Sequence, residues 1–450
     1  MQPGQRGVET CATFCRDGSC GFVVSIAQAP MPFTTIPPRP GEPRVALANA
    51  ALERVWARGW LERPPLEPEA LLARARAKTG LNDAGAEPGW RRRLELLVEG
   101  LHADAALTGL GRTIAHGQLV AALANRLRMH ALWRRFPDIL DVPVPSPIIV
   151  LGQMRSGSTR IQRLLACDPR LAFTRFYESW NPVPIRAGGA DDRYLRGWFA
   201  LRCARWLSPG FDAIHPATTR QADEEIGFHN ISIFGSALEA QWRVPGFAAH
   251  GEVEDTLPVY QEFRRLLQTV AWLRRDRMAR PWIVKLPQMT QDLPAVLSVF
   301  PDARLVVLDR DPAALVASAA SLVHSQMVLQ SDAVDPRWIG REWLRKVALR
   351  RRRMSAALAE AEAPRVEVSY DAIGADWRGE MHRVYAMLGL PLLPKVEARM
   401  ARYLARRHHR RLDAHRYDLA DFGLNRTDVE RALSPSPPVL HPVFRAMLEG

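Results

Sequence analysis

The sequence predicts an α/β fold: a doubly wound parallel sheet flanked by helices, preceded by a helical N-terminal subdomain. Three observations carry that reading. Short apolar runs at Ile148–Leu151, Trp282–Lys285 and Arg304–Leu308 have the length of strands, and their nearly unbroken apolar character suits strands covered on both faces. Each run is followed by a turn and then by apolar residues at helical spacing. Strand and helix units that alternate in this way build parallel sheets.

The elements follow in order. Residues 1–44, Pro-rich from 31 onward, are expected to form a disordered tail. Gly21–Ala27 is mildly apolar and Ala27-Gln28-Ala29 has the small residues of a cleavage site, but the apolar core is short and Pro30 follows at once, which favours a tail over a secretory signal. Residues 45–145 are expected to form the helical subdomain: Leu119, Val120, Leu123 and Leu127 share one helix face, and Pro137 and the Pro-rich run from Val142 to Pro147 end the region. Residues 146–450 are assigned to the α/β domain. Its first strand, Ile148–Leu151, leads through a small-residue turn into a helix from Ser158 to Cys167, with Ile161, Leu164 and Leu165 inward and Asp168-Pro169 as the stop. Residues 180–280 read as mostly helical. Leu293, Val296, Leu297 and Phe300 repeat at helical spacing behind Asp292, with Pro294 in the first turn. Asp311-Pro312 opens a helix to about Ser325, and Val366, Val368 and Tyr370 alternate as a last strand.

Bulk properties narrow the function. The formal net charge is +13, carried almost wholly by arginine, with lysines only at 78, 285, 346 and 395. Such a charge suits an anionic substrate, nucleic acid or a membrane surface. No zinc-ligand spacing and no aromatic RNA-binding motif supports nucleic acid. No window approaches ~18 uninterrupted apolar residues, so no spanning helix is expected. The five cysteines, Cys11, Cys15, Cys20, Cys167 and Cys203, are sparse and odd in number, which suggests reduced thiols and a cytoplasmic setting. Cys11, Cys15 and Cys20 have no second pair to complete a metal site, and no metal is expected.

The chemistry concentrates in Gly152-Gln-Met-Arg155-Ser156-Gly157-Ser158-Thr159. A small-residue turn at a helix N-terminus offers backbone N–H groups and the positive end of the helix dipole to an anion, so the layout is P-loop-like. Gly152 and Gly157 permit the turn, and Ser156, Ser158 and Thr159 add hydroxyls. The lysine that reaches the β- and γ-phosphates of ATP or GTP is absent: Ser158 stands there, and the nearest fixed cation is Arg155. A second cluster lies at the end of the Arg304–Leu308 strand. Arg310 falls on the sheet's C-terminal edge, where doubly wound sheets bind ligands, and Ser318 follows in the next helix.

Together the clusters resemble the sulfotransferase family. The 152–159 loop is similar to its 5′-phosphosulfate loop, Arg310-Asp-Pro with Ser318 to its 3′-phosphate site, and Val284-Lys285-Leu-Pro287 to its K-S-P segment. Tyr370-Asp371 and Arg416-Tyr-Asp-Leu-Ala-Asp-Phe-Gly423 look like the bacterial branch, which also has a helical N-terminal extension. The pattern departs at Met154, Ser158, Arg160, Leu286, Gln288 and Asp309.

The resemblance implies transfer of a sulfuryl group from 3′-phosphoadenosine 5′-phosphosulfate (PAPS) to an acceptor, by in-line displacement with a general base. The donor would be held by Gly152, Arg155, Ser156, Gly157, Ser158, Thr159, Arg310 and Ser318. Arg155 and Lys285 would be the catalytic cations and Glu178 the base, with His215 the runner-up ahead of His229. The run Asp223-Glu224-Glu225 reads as a solvated helix face, and the basic run from Arg406 to Arg411 as a solvated segment that could help neutralise an anion. The implied partners are the nucleotide donor and a small-molecule, glycan or lipid acceptor; the oligomeric state stays open. A P-loop kinase or ATPase, or a non-catalytic nucleotide-binding protein of the same fold, are the alternatives.

Overall fold

A computed structural model describes residues 43–408 and 417–434, apart from 88, 187, 210, 211, 213–215, 276 and 277. Cys11, Cys15, Cys20, His215, Arg410, Arg411 and Arg416 therefore lie outside the described residues, as does the tail before residue 43.

Helices α1 (Pro43–Ala57), α2 (Pro68–Thr79), α3 (Trp90–Ala103) and α4 (Gly109–Arg135) come first. Thr108 caps α4 by accepting from the Gly111 N–H at 3.0 Å, a contact worth about 1 kcal/mol. Phe136 and Pro137 end the helix, since proline disfavours helical backbone in the residue before it. Helices α2 to α4 do not bury a core alone. Leu71, Leu97, Leu119 and Leu123 pack with Ile233, Leu238, Trp242 and Phe247 from far along the chain.

The sheet begins at β1 (Ile148–Leu151) and continues with β2 (Ala172–Phe173), β3 (Trp282–Val284), β4 (Arg304–Asp309) and β5 (Arg365–Ser369). All pairings are parallel, in the order β2-β3-β1-β4-β5. Alternate residues of β1, β3 and β4 enter opposite cores, and β5 packs only one face. Ile149, Leu151, Val284, Leu305 and Val307 face one way, against α11 (Leu257–Leu273) and α12 (Leu293–Val299). Ile148, Val150, Ile283, Val306, Leu308 and Val368 face the other, against α5 (Ser158–Leu165), α16 (Trp377–Met387) and α17 (Pro394–His408). Cover on both faces explains why β1 and β4 read as continuous apolar runs rather than alternating ones.

The remaining described helices are α6 (Phe176–Trp180), α7 (Arg193–Leu207), α8 (Ile226–Ile231), α9 (Ser236–Gln241), α10 (Pro245–Gly251), α13 (Pro312–Met327), α14 (Pro336–Glu360), α15 (Ala372–Ala375) and α18 (Arg426–Leu433). Asp311 caps α13 through the Ala314 N–H at 3.1 Å. Strand β1 sits between β3 and β4, so the chain departs from it to both sides. The crevice of a doubly wound sheet opens at such a point, at the strand C-termini.

Candidate active site

Four chemically distinct groups reach that edge because four strands end there. β1 runs into the Gly152–Gly157 turn, β3 into Lys285, β4 into Arg310 and β5 into Tyr370. Arg155 adopts φ +73° and Gly157 φ +90°, both in the left-handed region. A Cβ at Gly157 would come 2.7 Å from the Tyr370 ring, and one at Gly152 would come 2.4 Å from Ser156 Oγ. Space and backbone angle thus both require glycine at 157. Ser156 is buried and its N–H closes the turn onto the Gln153 carbonyl at 3.0 Å. Its hydroxyl oxygen has no hydrogen-bond partner among the described residues. A buried hydroxyl without a partner inside a glycine-walled turn fits an anion's oxygen.

Arg155, Ser318, Arg310 and Tyr417 form one cluster. Arg155 Nε donates to Ser318 Oγ at 3.0 Å, and Arg310 donates to the Arg155 carbonyl at 2.6 Å and to the Tyr417 hydroxyl at 3.4 Å. The Arg310 guanidinium also lies over the Tyr370 ring, 4.3 Å from its centre. Burial, with Arg310 nearby, pushes the Arg155 guanidinium below its usual value; it stays charged at any physiological pH. Burial raises the Tyr417 phenol, but hydrogen bonds with Ser318 and Arg310 and the charges of Arg310 and Arg155 outweigh that and hold it below its usual value. The cluster is electropositive and shaped around oxygen acceptors.

Lys285 is buried, and its Nζ reaches Thr159 Oγ1 on the loop helix at 3.2 Å. It also forms an ion pair with Glu224. The Lys285 N–H donates to Glu225 Oε2 at 2.9 Å. Burial pushes the Glu225 carboxyl up to about 8. The segment carrying these glutamates is strapped in place: Gln162 and Arg163 of α5 donate to the carbonyls of Asp223 and Ala222, and Ser179 of α6 to that of Glu224. Asp223-Glu224-Glu225 is therefore not a solvated helix face. Asp223 and Glu225 are buried, Glu224 is largely so, and α8 starts only at Ile226.

Glu178 lies elsewhere. It is fully buried in the first turn of α6, where its Oε2 accepts the Arg175 N–H at 2.9 Å. Arg274 donates to its Oε1 at 2.7 Å and pairs with its Oε2 as well. Among the described residues, the Glu178 carboxylate meets Arg175 and Arg274, and not Lys285, Thr159 or the loop. His229 is also buried, among the rings of Phe234, Tyr260 and Phe263, and burial, with Arg93 near, lowers it to about 3. Of the expected site residues, the turn, Arg155, Thr159, Lys285, Arg310 and Ser318 converge; Glu178, expected as the base, does not join them. Glu224 and Tyr417 were not picked out as site residues. Tyr417 does fall in the terminal motif noted above, and Glu224 in the acidic run.

This arrangement defines a parallel α/β protein with a P-loop-like anion turn at its switch point and no triphosphate-binding lysine. A model of the Sulfotransferase family matches residues 147–394, and the chain belongs to that family. Among solved structures it is similar to sulfotransferase STF1 from Mycobacterium tuberculosis H37Rv, at 25% identity and a TM-score of 0.71 over 81% of this chain and 98% of that one. It is likewise similar to sulfotransferase STF9 from Mycobacterium avium, at 25% identity and a TM-score of 0.72 over 81% of this chain and 94% of that one. No curated protein sequence matches it significantly.

Proposed function

We propose that the protein moves a sulfuryl group from PAPS to an acceptor hydroxyl. The observation that carries this reading is the pair of anion niches on one sheet edge. The turn with Ser156 would take the 5′-phosphosulfate, and Arg310 with Ser318 and Tyr417 the 3′-phosphate. Arg155 bridges the two niches through its side chain and its carbonyl. Bound PAPS supplies an activated sulfuryl group on a phosphate leaving group.

The chain's own groups have three tasks. Backbone N–H groups of the turn and the first turn of α5 hold the 5′ end. Lys285, next to Thr159, neutralises charge on the departing oxygen. Glu224 takes the base role expected of Glu178, because its carboxylate pairs with the Lys285 ammonium. When Lys285 turns to the leaving oxygen, Glu224 loses its partner and is free to accept the hydroxyl proton.

The test is calorimetry and transfer. 3′,5′-Bisphosphoadenosine should bind without Mg²⁺, ATP should compete weakly, and labelled sulfate should pass from PAPS to a hydroxyl compound. Preferred Mg²⁺-dependent ATP binding would overturn the reading in favour of a kinase or ATPase. Bisphosphate binding without transfer to any acceptor would leave a non-catalytic binder.

A further inference from the structure

Helix α7 is apolar on two faces. One packs inward: Leu201 is buried, and Gly197 lies so close to α6 that a Cβ there would come 2.7 Å from Tyr177 Cβ. The other is open to solvent. Leu195, Trp198, Phe199 and Trp206 are 65%, 45%, 64% and 53% exposed. They fall at i, i+3, i+4 and i+11, within an arc of about 100°. Four large apolar side chains on one arc of α7 are thus left in solvent.

Cations are set into the open face. Arg202 falls at i+7 on the same arc, exposed, with its guanidinium 5.2 Å from the centre of the Trp198 ring. Arg44 of α1 lies 5.8 Å from the Trp206 ring and donates to the Trp206 carbonyl at 2.8 Å. There is no acidic residue between 193 and 207. The two that precede the helix, Asp191 and Asp192, are held in ion pairs by Arg193 and Arg196.

We propose that this face of α7 docks in the headgroup region of an anionic lipid bilayer. Exposed tryptophan, phenylalanine and leucine on one arc, with arginine among them and no carboxylate on the helix, are side chains suited to a headgroup–acyl boundary. The indoles and aliphatic side chains enter the acyl boundary, and the arginines meet lipid phosphates at its rim. A helix face that presents Arg202, with Arg44 beside it, complements an anionic surface, while Arg193, Arg196 and Arg205 are paired with Asp191, Asp192 and Asp212; the +13 net charge adds long-range attraction. The docked face connects to the active site. Arg205 donates to the Ala217 carbonyl at 2.6 Å and Arg220 lies over the Tyr194 ring at 4.8 Å, so the segment that ends at Glu224 hangs from α7.

The experiment is vesicle flotation of the full-length protein and of a Trp198→Gln/Phe199→Gln variant. Both substituted side chains are exposed, and equal thermal unfolding midpoints would establish that the fold survives. The parent should float with phosphatidylcholine–phosphatidylglycerol vesicles, weakly with phosphatidylcholine alone, and less at high salt. The variant's apparent affinity should fall by about tenfold or more. A parent that ignores the mixed vesicles, or a variant that binds them as the parent does, would overturn the proposal. So would a parent dimer in sedimentation velocity that the same substitutions dissociate, since the face would then belong to a second copy of the chain.

Discussion

Arg274 and Arg310 both lie against aromatic rings, yet they meet opposite partners. Arg274 sits over Trp282 at 5.2 Å and spends its N–H groups on the buried Glu178 carboxylate and the Phe173 carbonyl. Arg310 sits over Tyr370 and meets only neutral oxygens among the described residues, a carbonyl and a phenol. The first arginine is already neutralised, and its pairing joins the end of α11 to α6. The second meets no counter-charge among the described residues at the mouth of the sheet, where a phosphate could claim it. The same contrast separates two glutamates. Both Glu178 oxygens are held inside the scaffold, whereas Glu224 meets the Lys285 ammonium, which also touches the loop helix.

The sharpest way to break this contrast is to exchange the roles of the glutamates. Glu224→Gln should lower turnover by ~10²–10⁴-fold while bisphosphate affinity changes little, measured by sulfate transfer and calorimetry. If Glu178→Gln instead gives that loss with an unchanged unfolding midpoint, the base has been misplaced. The expected result of Glu178→Gln is a stability defect of about 3–5 kcal/mol in denaturant unfolding, because Arg274 is left without its counter-charge in a largely buried position. Turnover per folded molecule should persist.

A smaller effect separates the two ends of the donor. Arg310→Ala should weaken 3′,5′-bisphosphoadenosine by about 10–100-fold, the range of one or two charge-assisted hydrogen bonds. Adenosine 5′-phosphosulfate, which lacks the 3′-phosphate, should bind the variant and the parent alike. Equal losses for both ligands would remove Arg310 from a 3′-specific role.

Much of this was legible in the sequence, and the missing parts have a common cause. β1, β3 and β4 announce themselves as apolar runs because both sheet faces are covered, and the edge strand β5 by the alternation of Val366 and Val368 with exposed residues. β2 leaves no mark in the sequence, since it has two residues and carries no period. The phosphate turn was legible from glycine spacing, because its geometry is set within eight consecutive residues. The glutamates were not. Glu178 is claimed by Arg274, 96 positions away, and Glu224 by Lys285, 61 positions away. An acidic run looks the same in sequence whether it faces water or a lysine at the end of a distant strand. Only the β1–β3 pairing, which seats Lys285 beside α5, makes the difference.

The smallest effect extends the contrast to two further buried glutamates, through pH. Glu225 has no arginine partner among the described residues, and burial pushes its carboxyl up to about 8. Burial would also raise Glu262, but hydrogen bonding with His130 and Arg126, with the Arg126 charge, lowers it to about 2. An unfolded glutamate titrates near 4.5. Between pH 4.5 and 8 the unfolded chain gains from ionising Glu225 while the folded chain keeps it neutral. Its contribution to stability therefore falls as pH rises, by at most about 1.4 kcal/mol per unit, and levels off above pH 8. Glu262 runs the other way: its contribution is complete above pH 4.5 and is lost as pH falls toward 2. Denaturant unfolding of the parent, Glu225→Gln and Glu262→Gln across pH 3 to 8 reads both slopes. The stability difference between parent and Glu225→Gln should shrink from pH 5 to pH 8, and that between parent and Glu262→Gln should stay flat there and shrink only below pH 4.5. Slopes of the same sign would mean that Glu225 is ionised in the fold, and that the Lys285 end of β3 is held by a charge rather than by a neutral carboxyl.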